Sequence, residues 1–498
     1  MRLLSTLSAV LLAAATSLAF DPTAYENTQI QRTYELGGAA TNVQTVYTVR
    51  ALKDSLGGYE LVLSSPEEDV EDGTNYWEVM QGGKVWESLT VQSLSDGRKT
   101  VTIPLEPAPV GGPITFTLSQ VLVHHSHPLP ASIGQDDEQY LMFETNQTMV
   151  ESLYSTRKET IKYRYAMRTS PSKKIISHSP APEKYIQVGA NASKKSGGTL
   201  TLGPYTSVPP TVSLSSAGVL TREPGFSMSP LKIHYPFEEP VKTIEKLVRL
   251  AEVSHWGDNL NVEDHIRLVN TGAHLKGQFS RIQYQMARFR PTFPAQIIRN
   301  IIYPLPPHSH SAYYYDVIGN ISTSNFRPSH PTRGGPAILE LRPRYPILGG
   351  WMDEFTVGWD MRLGDWLRSV KGHESQKVLR VPFMTALPGV VVDQAELVIT
   401  LPEGARDVNV TVPFPVDAIE HSTHKTYLDS IGRPRITIKK RMCVEKHEQD
   451  VYVTYTYPFT AQFQKVFTVG IATAVMFAAF ALAKRLDVRI SKVAKVVG

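Results

Sequence analysis

Thr41-Asn42-Val43-Gln44-Thr45-Val46-Tyr47-Thr48-Val49 sets Val43, Thr45, Tyr47 and Val49 on one side of an extended chain. A period of two marks a half-buried strand. The same period runs through Tyr59, Leu61 and Leu63, and through residues 101–105 and 114–118, with Gly-Gly pairs at 57–58, 82–83 and 111–112 as turns. Further on, residues 244–256 and 262–270 read as a pair of long strands, the second ending in Asn270-Thr271-Gly272. Residues 337–341, 395–401, 435–439 and 451–457 add more strands, while residues 291–331 read as a long loop-rich passage holding Asn320. The expectation is a mainly β chain with two β-sandwich-like domains, 20–235 and 236–458. Their boundary is placed in or just after the Ser-, Pro-, Gly- and Thr-rich residues 196–230, near Tyr235. No repeat of 20–50 residues shows. Both blocks open with two long strand-like segments, which suggests two similar domains.

Beyond the second block, residues 466–483 are apolar and uncharged. About 18 residues at 1.5 Å each reach roughly 27 Å, enough for a thin bilayer core. A transmembrane helix is expected over 464–483, followed by a basic tail, 484–498, with Lys484, Arg485, Arg489, Lys492 and Lys495 against Asp487. The positive-inside rule places that tail in the cytosol. Gly470, Ala474 and Ala478 recur every four residues, a small-residue stripe fit for docking against another membrane helix. At the other end Arg2 precedes an apolar run, and Ser17-Leu18-Ala19 has the form of a cleavage site, so residues 1–19 read as a signal peptide. Together these give a single-pass type I protein with a large luminal ectodomain.

The 498 residues carry a formal charge of +4. The signal stretch carries +1 and the tail +4, which leaves the ectodomain at −1, close to neutral and without support for nucleic-acid binding. Cys443 is the single cysteine, so no internal disulfide can form and large apolar cores must hold the domains. Asn146, Asn191, Asn320 and Asn409 open Asn-x-Ser/Thr sequons and are the glycan-acceptor candidates.

Metal and nucleophile signals are poor. His124, His125 and His127, and separately His308 and His310, are loosely spaced and read as loop histidines. His373-Glu374 and His447-Glu448 lack the second histidine of a zincin helix, and Gly225-Phe226-Ser227-Met228-Ser229 lacks the final glycine of a nucleophile elbow. No catalytic, cofactor or metal residue is assigned.

Six stretches are distinctive. They are Glu252-Val253-Ser254-His255-Trp256-Gly257, Thr271-Gly272-Ala273-His274-Leu275-Lys276-Gly277-Gln278-Phe279-Ser280-Arg281, Tyr314-Tyr315-Asp316-Val317-Ile318-Gly319-Asn320-Ile321-Ser322-Thr323-Ser324, Arg342-Pro343-Arg344-Tyr345-Pro346-Ile347-Leu348-Gly349-Gly350-Trp351, Leu401-Pro402-Glu403-Gly404-Ala405 and Thr426-Tyr427-Leu428-Asp429-Ser430-Ile431-Gly432-Arg433-Pro434. In this order they resemble the ribophorin I family, the first subunits of oligosaccharyltransferase complexes, in its short-tailed fungal form. The resemblance implies a non-catalytic endoplasmic reticulum membrane subunit without a cofactor. Its two luminal domains would be similar to the N-terminal domain of M1-type aminopeptidases. It implies service in protein N-glycosylation, the transfer of a preassembled oligosaccharide from dolichyl diphosphate to Asn in Asn-x-Ser/Thr, with a structural and substrate-presenting role. Catalytic and small membrane subunits are the implied partners, with nascent polypeptide, the translocon and membrane lipid as further neighbours. The catalytic subunit's tryptophan-tryptophan-aspartate motif is absent, and Trp351-Met352-Asp353-Glu354 does not replace it. The competing readings are a membrane-anchored, aminopeptidase-like hydrolase and a luminal substrate receptor.

Within these stretches His255, Trp256, Arg342, Arg344 and Trp351 are the interaction-surface candidates. His255-Trp256 also fits a packed tryptophan at a turn. Arg342, Arg344 and Arg433 offer guanidinium forks for phosphate or carboxylate, with ordinary ion pairs as the simpler role.

Overall fold

A computed structural model describes residues 21–53, 58–63, 76–86, 89–94, 99–105, 111–145, 149–165, 175–181, 183–187, 191–215, 219–223, 230–287, 289, 294–330, 334–426 and 429–485. The signal stretch, Asn146, the Gly225–Ser229 motif and the tail beyond Arg485 lie outside them. The chain is mostly β and divides into two compact units. Unit 1 runs to Gly37 and includes Thr41–Leu129 and Tyr140–Pro236; unit 2 is Gly38–Ala40, Pro130–Gln139 and Phe237–Gly498.

In spatial order, the main sheet of unit 1 is Ser193–Ser196, Thr199–Val208, Thr156–Tyr165, Tyr25–Leu36, Ala40–Ala51, Pro113–Val123, Tyr76–Gln81 and Lys84–Val85. That of unit 2 is Ala418–His424, Arg433–Cys443, Val391–Thr400, Lys242–Ser254, Asn259–Asn270, Met352–Arg362, His310–Asp316 and Gly319–Asn320. Each centres on a long antiparallel hairpin whose first strand also pairs in parallel with a much later strand. Each unit adds a three-stranded sheet, Tyr59–Leu63, Lys99–Ile103 and Thr90–Ser93 in unit 1, and Ile301–Leu305, Ala337–Leu341 and Asn325–Arg327 in unit 2. Each also adds a four-stranded sheet: Ser126–Pro128, Tyr140–Thr145, Leu231–Pro236 and Ser177–His178, matched by Leu367–Val370, His373–Pro382, Asp450–Thr456 and Arg406–Thr411. Taken in chain order, these fifteen described strands of unit 1 match those of unit 2 one for one, in the same spatial order. The chain is therefore a structural duplication.

Alternation builds the cores. Ile30, Tyr47, Tyr59, Val101 and Phe116 bury together in unit 1; Leu247, Ile266, Leu339, Trp359, Leu397 and Val453 do so in unit 2. Each central hairpin also buries one arginine from its first strand, Arg32 and Arg249. Arg32 donates from Nε to Thr45 Oγ1 at 3.0 Å, beside the buried carboxyl of Glu159. Burial pushes that carboxyl up to about 7, tempered by the Val150 N–H and by Arg32. Arg249 grips Asp264 with two bonds, of 2.7 and 2.6 Å, and lies over the Trp359 ring.

Among its described residues the loop-rich passage 291–331 also holds four short strands, Ile301–Leu305, His310–Asp316, Gly319–Asn320 and Asn325–Arg327. These strands are short, and Ile301–Leu305 is apolar at every position, so its alternation, with Ile301, Tyr303 and Leu305 buried, does not show in the sequence. Residues 196–230, compositionally linker-like, contain Thr199–Val208, Val212–Leu214 and Leu220–Arg222. Cys443 is a fully buried free thiol, pushed up to about 12 by desolvation.

His447 gives unit 2 a pH dependence. It is 3% exposed, and its Nδ1 accepts the Val444 N–H at 3.0 Å. Desolvation, then Lys440, lower its pKa to about 4. Because the folded value is depressed, the unfolded chain takes the proton first as pH falls below about 6.5, and stability is lost down to about 4. The span is worth about 3 kcal/mol. Asp353, raised to about 6 by burial, works in the opposite sense. The expected result is thus a difference: His447→Gln flattens the acid arm of the unfolding midpoint against pH, measured by urea denaturation from pH 4 to 7.

Candidate membrane-proximal site

The last strand of unit 2, Asp450–Thr456, leads through Pro458 into a short helix, Phe459–Gln462, and then the helix Gln464–Arg485. Gln464–Arg485 is long and apolar enough to cross a membrane, and none of it is buried. Phe459, Phe463 and Phe467 are exposed around its start, as an interfacial aromatic belt would be.

Three distant stretches converge on that start. The turn after the central hairpin's first strand presents Trp256, two-thirds exposed, whose Nε1 donates to the Gln462 carbonyl at 2.7 Å. His255 stacks on Tyr457, with ring centroids 4.4 Å apart, and its Nε2 lies 2.8 Å from the Tyr455 hydroxyl. Desolvation, then Lys377, lower the His255 pKa to about 4, so the ring is neutral near pH 7.

Glu403 is the second contributor, 4% exposed. Its Oε1 accepts the Ser430 N–H at 2.7 Å, the Ser430 hydroxyl at 2.9 Å, the Ile431 N–H at 2.8 Å and the Gln464 amide at 3.4 Å. Burial raises this carboxyl, but the backbone and hydroxyl donors outweigh it and hold it below the usual range. Next to it Gly404 takes φ +90, and a side chain there would come within 2.8 Å of Ala461 Cβ, so glycine lets the turn press against the short helix.

The third contributor is Asp429, which faces Lys465 at 3.1 Å and Arg433 Nε at 3.2 Å, while Arg433 also pairs with Glu252. Burial opposes ionisation of Asp429, yet the Thr426 donors, Lys465 and Arg433 hold its carboxyl far below its ordinary value. Around these groups lies a cleft of about 220 Å³ lined by Glu252, His255, Trp256, Glu403, Arg433 and Lys465. The short helix is thus held at Gln462 and the long one at Gln464 and Lys465, which ties its first turn to unit 2.

The remaining candidates lie elsewhere in unit 2. Arg344 pairs with Asp316 and donates to the Gly319 and Asn320 carbonyls at 3.0 and 3.2 Å, so it closes a turn. Trp351 is half-buried, edge-on to Phe279 and Tyr345. At Gly349 a side chain would overlap the Ala273 carbonyl at 1.8 Å, which is why glycine stands there. Arg342 is exposed and lines a separate cleft of about 530 Å³ with Arg299 and Arg344. The six distinctive stretches therefore gather in two groups: three at the helix base, three around the Asn270–Trp351 turns. Glu403, Asp429 and Lys465 were not singled out in the sequence; the Leu401–Ala405 and Thr426–Pro434 stretches were the only signal. Asn191, Asn320 and Asn409 are exposed, and Gly470, Ala474 and Ala478 have none of this chain's core against them. Among the described residues no three His, Cys, Asp or Glu side chains are grouped so as to hold a metal ion.

The Ribophorin I family profile matches residues 25–484. The chain is similar to dolichyl-diphosphooligosaccharide–protein glycosyltransferase subunit 1 of Caenorhabditis elegans, 32% identical over 71% of this chain and 54% of that one. It is similar to subunit 1B of Oryza sativa subsp. japonica, 30% identical over 72% of this chain and 66% of the relative. The chain thus spans between half and two-thirds of the length of these relatives. The solved structure of native yeast LTA4 hydrolase overlaps 44% of this chain and 31% of its own, with a TM-score of 0.24 and 8% identity, too low to bear on the fold.

Proposed function

Because this chain belongs to the ribophorin I family, we propose that it is a non-catalytic, single-pass subunit of an oligosaccharyltransferase complex in the endoplasmic reticulum membrane, serving protein N-glycosylation. The observation that carries this reading is the family match over nearly all the described residues, with relatives that are named as subunits of such a transferase. The geometry supports a structural role. Two large β units end in an apolar helix whose first turn is clamped to unit 2, so partners gripping the helix would also fix the orientation of that unit. The type I orientation, with both units in the lumen, follows from the basic cluster after residue 483.

The helix is a docking element in this proposal. Gly470, Ala474 and Ala478 form one stripe, no described residue outside the helix lies within 4 Å of where a Gly470 side chain would stand, and small residues let membrane helices pack closely. Purification of the full chain through a C-terminal tag in mild detergent is expected to recover a catalytic transferase subunit and small membrane subunits. The Gly470→Leu/Ala474→Leu variant is expected to insert normally and to lose the small subunits. Recovery of the wild-type chain alone would contradict the assignment; full recovery with the double variant would make the helix a plain anchor.

A further inference from the structure

Single exposed apolar side chains are ordinary on a protein surface, whereas several gathered in one place mark a contact. Four gather at the start of Gln464–Arg485, and they come from three separate stretches. Trp256 stands on the turn that joins Lys242–Ser254 to Asn259–Asn270. Ile431 stands on the turn before Arg433–Cys443, and Phe459 and Phe463 on the chain entering the helix. Trp256, Ile431 and Phe459 are 66%, 68% and 69% exposed.

Hydrogen bonds fix the height of the two turns against the helix. The Trp256 indole donates to the Gln462 carbonyl, two residues ahead of the helix. The Ile431 N–H donates to Glu403 Oε1, which also accepts the Gln464 amide, and that amide donates at 2.8 Å to the Ser430 hydroxyl. Gln464–Arg485 has 22 residues. At 1.5 Å each they reach about 33 Å, close to the roughly 30 Å of a hydrocarbon core. The helix ends therefore lie near the two edges of that core. Side chains tied to Gln462 and Gln464 stand in the headgroup layer, roughly 5–8 Å deep, on the side of unit 2. An indole suits that layer, with its ring in apolar surroundings and its N–H hydrogen-bonded. Charge adds no pull towards anionic lipid: Arg433 and Lys465, which line the cleft, are matched by Glu252 and Glu403 in its wall and by Asp429 behind it.

We propose that unit 2 is seated on the bilayer, with Trp256, Ile431, Phe459 and Phe463 inserted among the headgroups of zwitterionic phospholipid around the helix base. The attachment is apolar burial into the boundary between headgroups and acyl chains. A helix alone fixes unit 2 at one point. The Trp256 and Ile431 turns add further points, so the tilt of unit 2 against the membrane is set.

The proposal rests on Gln464–Arg485 spanning the membrane, and one set of labels separates the two. Cys443 is the single cysteine and is buried, its thiol pushed up to about 12, so a cysteine placed at the surface is labelled selectively. Nitroxides are attached to Ile431→Cys, to Ala474→Cys within the helix, and to Val317→Cys. Val317 follows His310–Asp316 at the end of the main sheet opposite the Trp256 turn. Each full-length variant is reconstituted in phosphatidylcholine vesicles. Collisions of the nitroxide with oxygen, which concentrates in lipid, are compared with collisions with a water-soluble nickel chelate. The ratio of oxygen to nickel collisions is expected to be highest at Ala474, lower at Ile431 and lowest at Val317. An Ile431 label as open to nickel as the Val317 label, with the Ala474 label in lipid, overturns the seat and leaves the span standing. An Ala474 label in water overturns both. An Ile431 label shielded from both reagents is covered by protein and also overturns the seat. For Trp256, phosphatidylcholine brominated high on its acyl chains is expected to quench the tryptophan emission of the wild type, and Trp256→Phe to lose that quenching. Equal quenching in the two proteins takes Trp256 out of the membrane and overturns the seat.

Discussion

Arg249→Met is expected to cost unit 2 about 3–5 kcal/mol, the range for removing one partner of a buried ion pair. Arg249 is 1% exposed and Asp264 fully buried. The guanidinium also donates to the Pro382 carbonyl at 3.0 Å and to the Thr385 hydroxyl, while the Tyr303 hydroxyl donates to the second oxygen of Asp264. Without Arg249 that carboxylate stays buried with a single phenol as donor. The pair ties the central hairpin to the segment after His373–Pro382, so the loss is global to the unit. Urea unfolding followed by the fluorescence of Trp359, whose ring lies 5.3 Å from the guanidinium, reports it directly. Adding Asp264→Leu to Arg249→Met should recover much of the loss, because an apolar replacement no longer buries a lone charge. The corresponding change in unit 1, Arg32→Met, should cost less. Its carboxyl neighbour Glu159, already pushed up to about 7, can take a proton near neutral pH.

Glu403→Ala is expected to detach the helix base while leaving the core of unit 2 folded. The carboxylate oxygen collects three backbone N–H groups, those of Ser430, Ile431 and Gly432, with a hydroxyl and the Gln464 amide. Charge-assisted bonds of this kind are worth about 1.5–3 kcal/mol each, and the N–H groups left behind lose their acceptor. Hydrogen exchange should quicken at Ser430 and Ile431 and in the first turn of Gln464–Arg485, with protection of Leu247 and Leu397 unchanged. If unit 2 transmits its orientation through this clamp, the variant keeps its membrane helix in the complex but loses protease resistance of the helix base. Equal exchange in variant and wild type would remove the clamp from the account.

Long alternating strands were legible because the sequence itself carries the period. Residues 244–256 and 262–270 became Lys242–Ser254 and Asn259–Asn270, since one face of each is mostly apolar, interrupted in its middle by Arg249 in the first and Asp264 in the second. The small strands of residues 291–331 were not legible, because two to seven residues are too few to display a period and Ile301–Leu305 is apolar on both faces. The duplication was suggested by the paired long strands that open each block, but its strand-for-strand extent was not legible. Strand-for-strand equivalence needs only matching hydrophobic periods and connections, which leave side-chain identity free: Arg32 finds Thr45 and Glu159 where Arg249 finds Asp264. At the helix base the motifs were visible as strings, but the contact of Glu403 with Ser430 and Gln464, or of Trp256 with Gln462, joins residues up to 206 apart. No local pattern encodes that. Trp256 fitted a packed tryptophan in the sequence and proves exposed, because its indole reaches outward to the helix.

The central claim is that this chain serves N-glycosylation as a subunit without performing the chemistry. The most direct measurement is acute depletion of the chain in its own cells, followed by mass spectrometry of acceptor-site occupancy on newly made secretory proteins. The account predicts that occupancy falls and that the intact full-length chain restores it. It also predicts that the purified chain alone, given lipid-linked oligosaccharide and an acceptor peptide, transfers nothing. Unchanged occupancy after depletion, or transfer by the isolated chain, would contradict it.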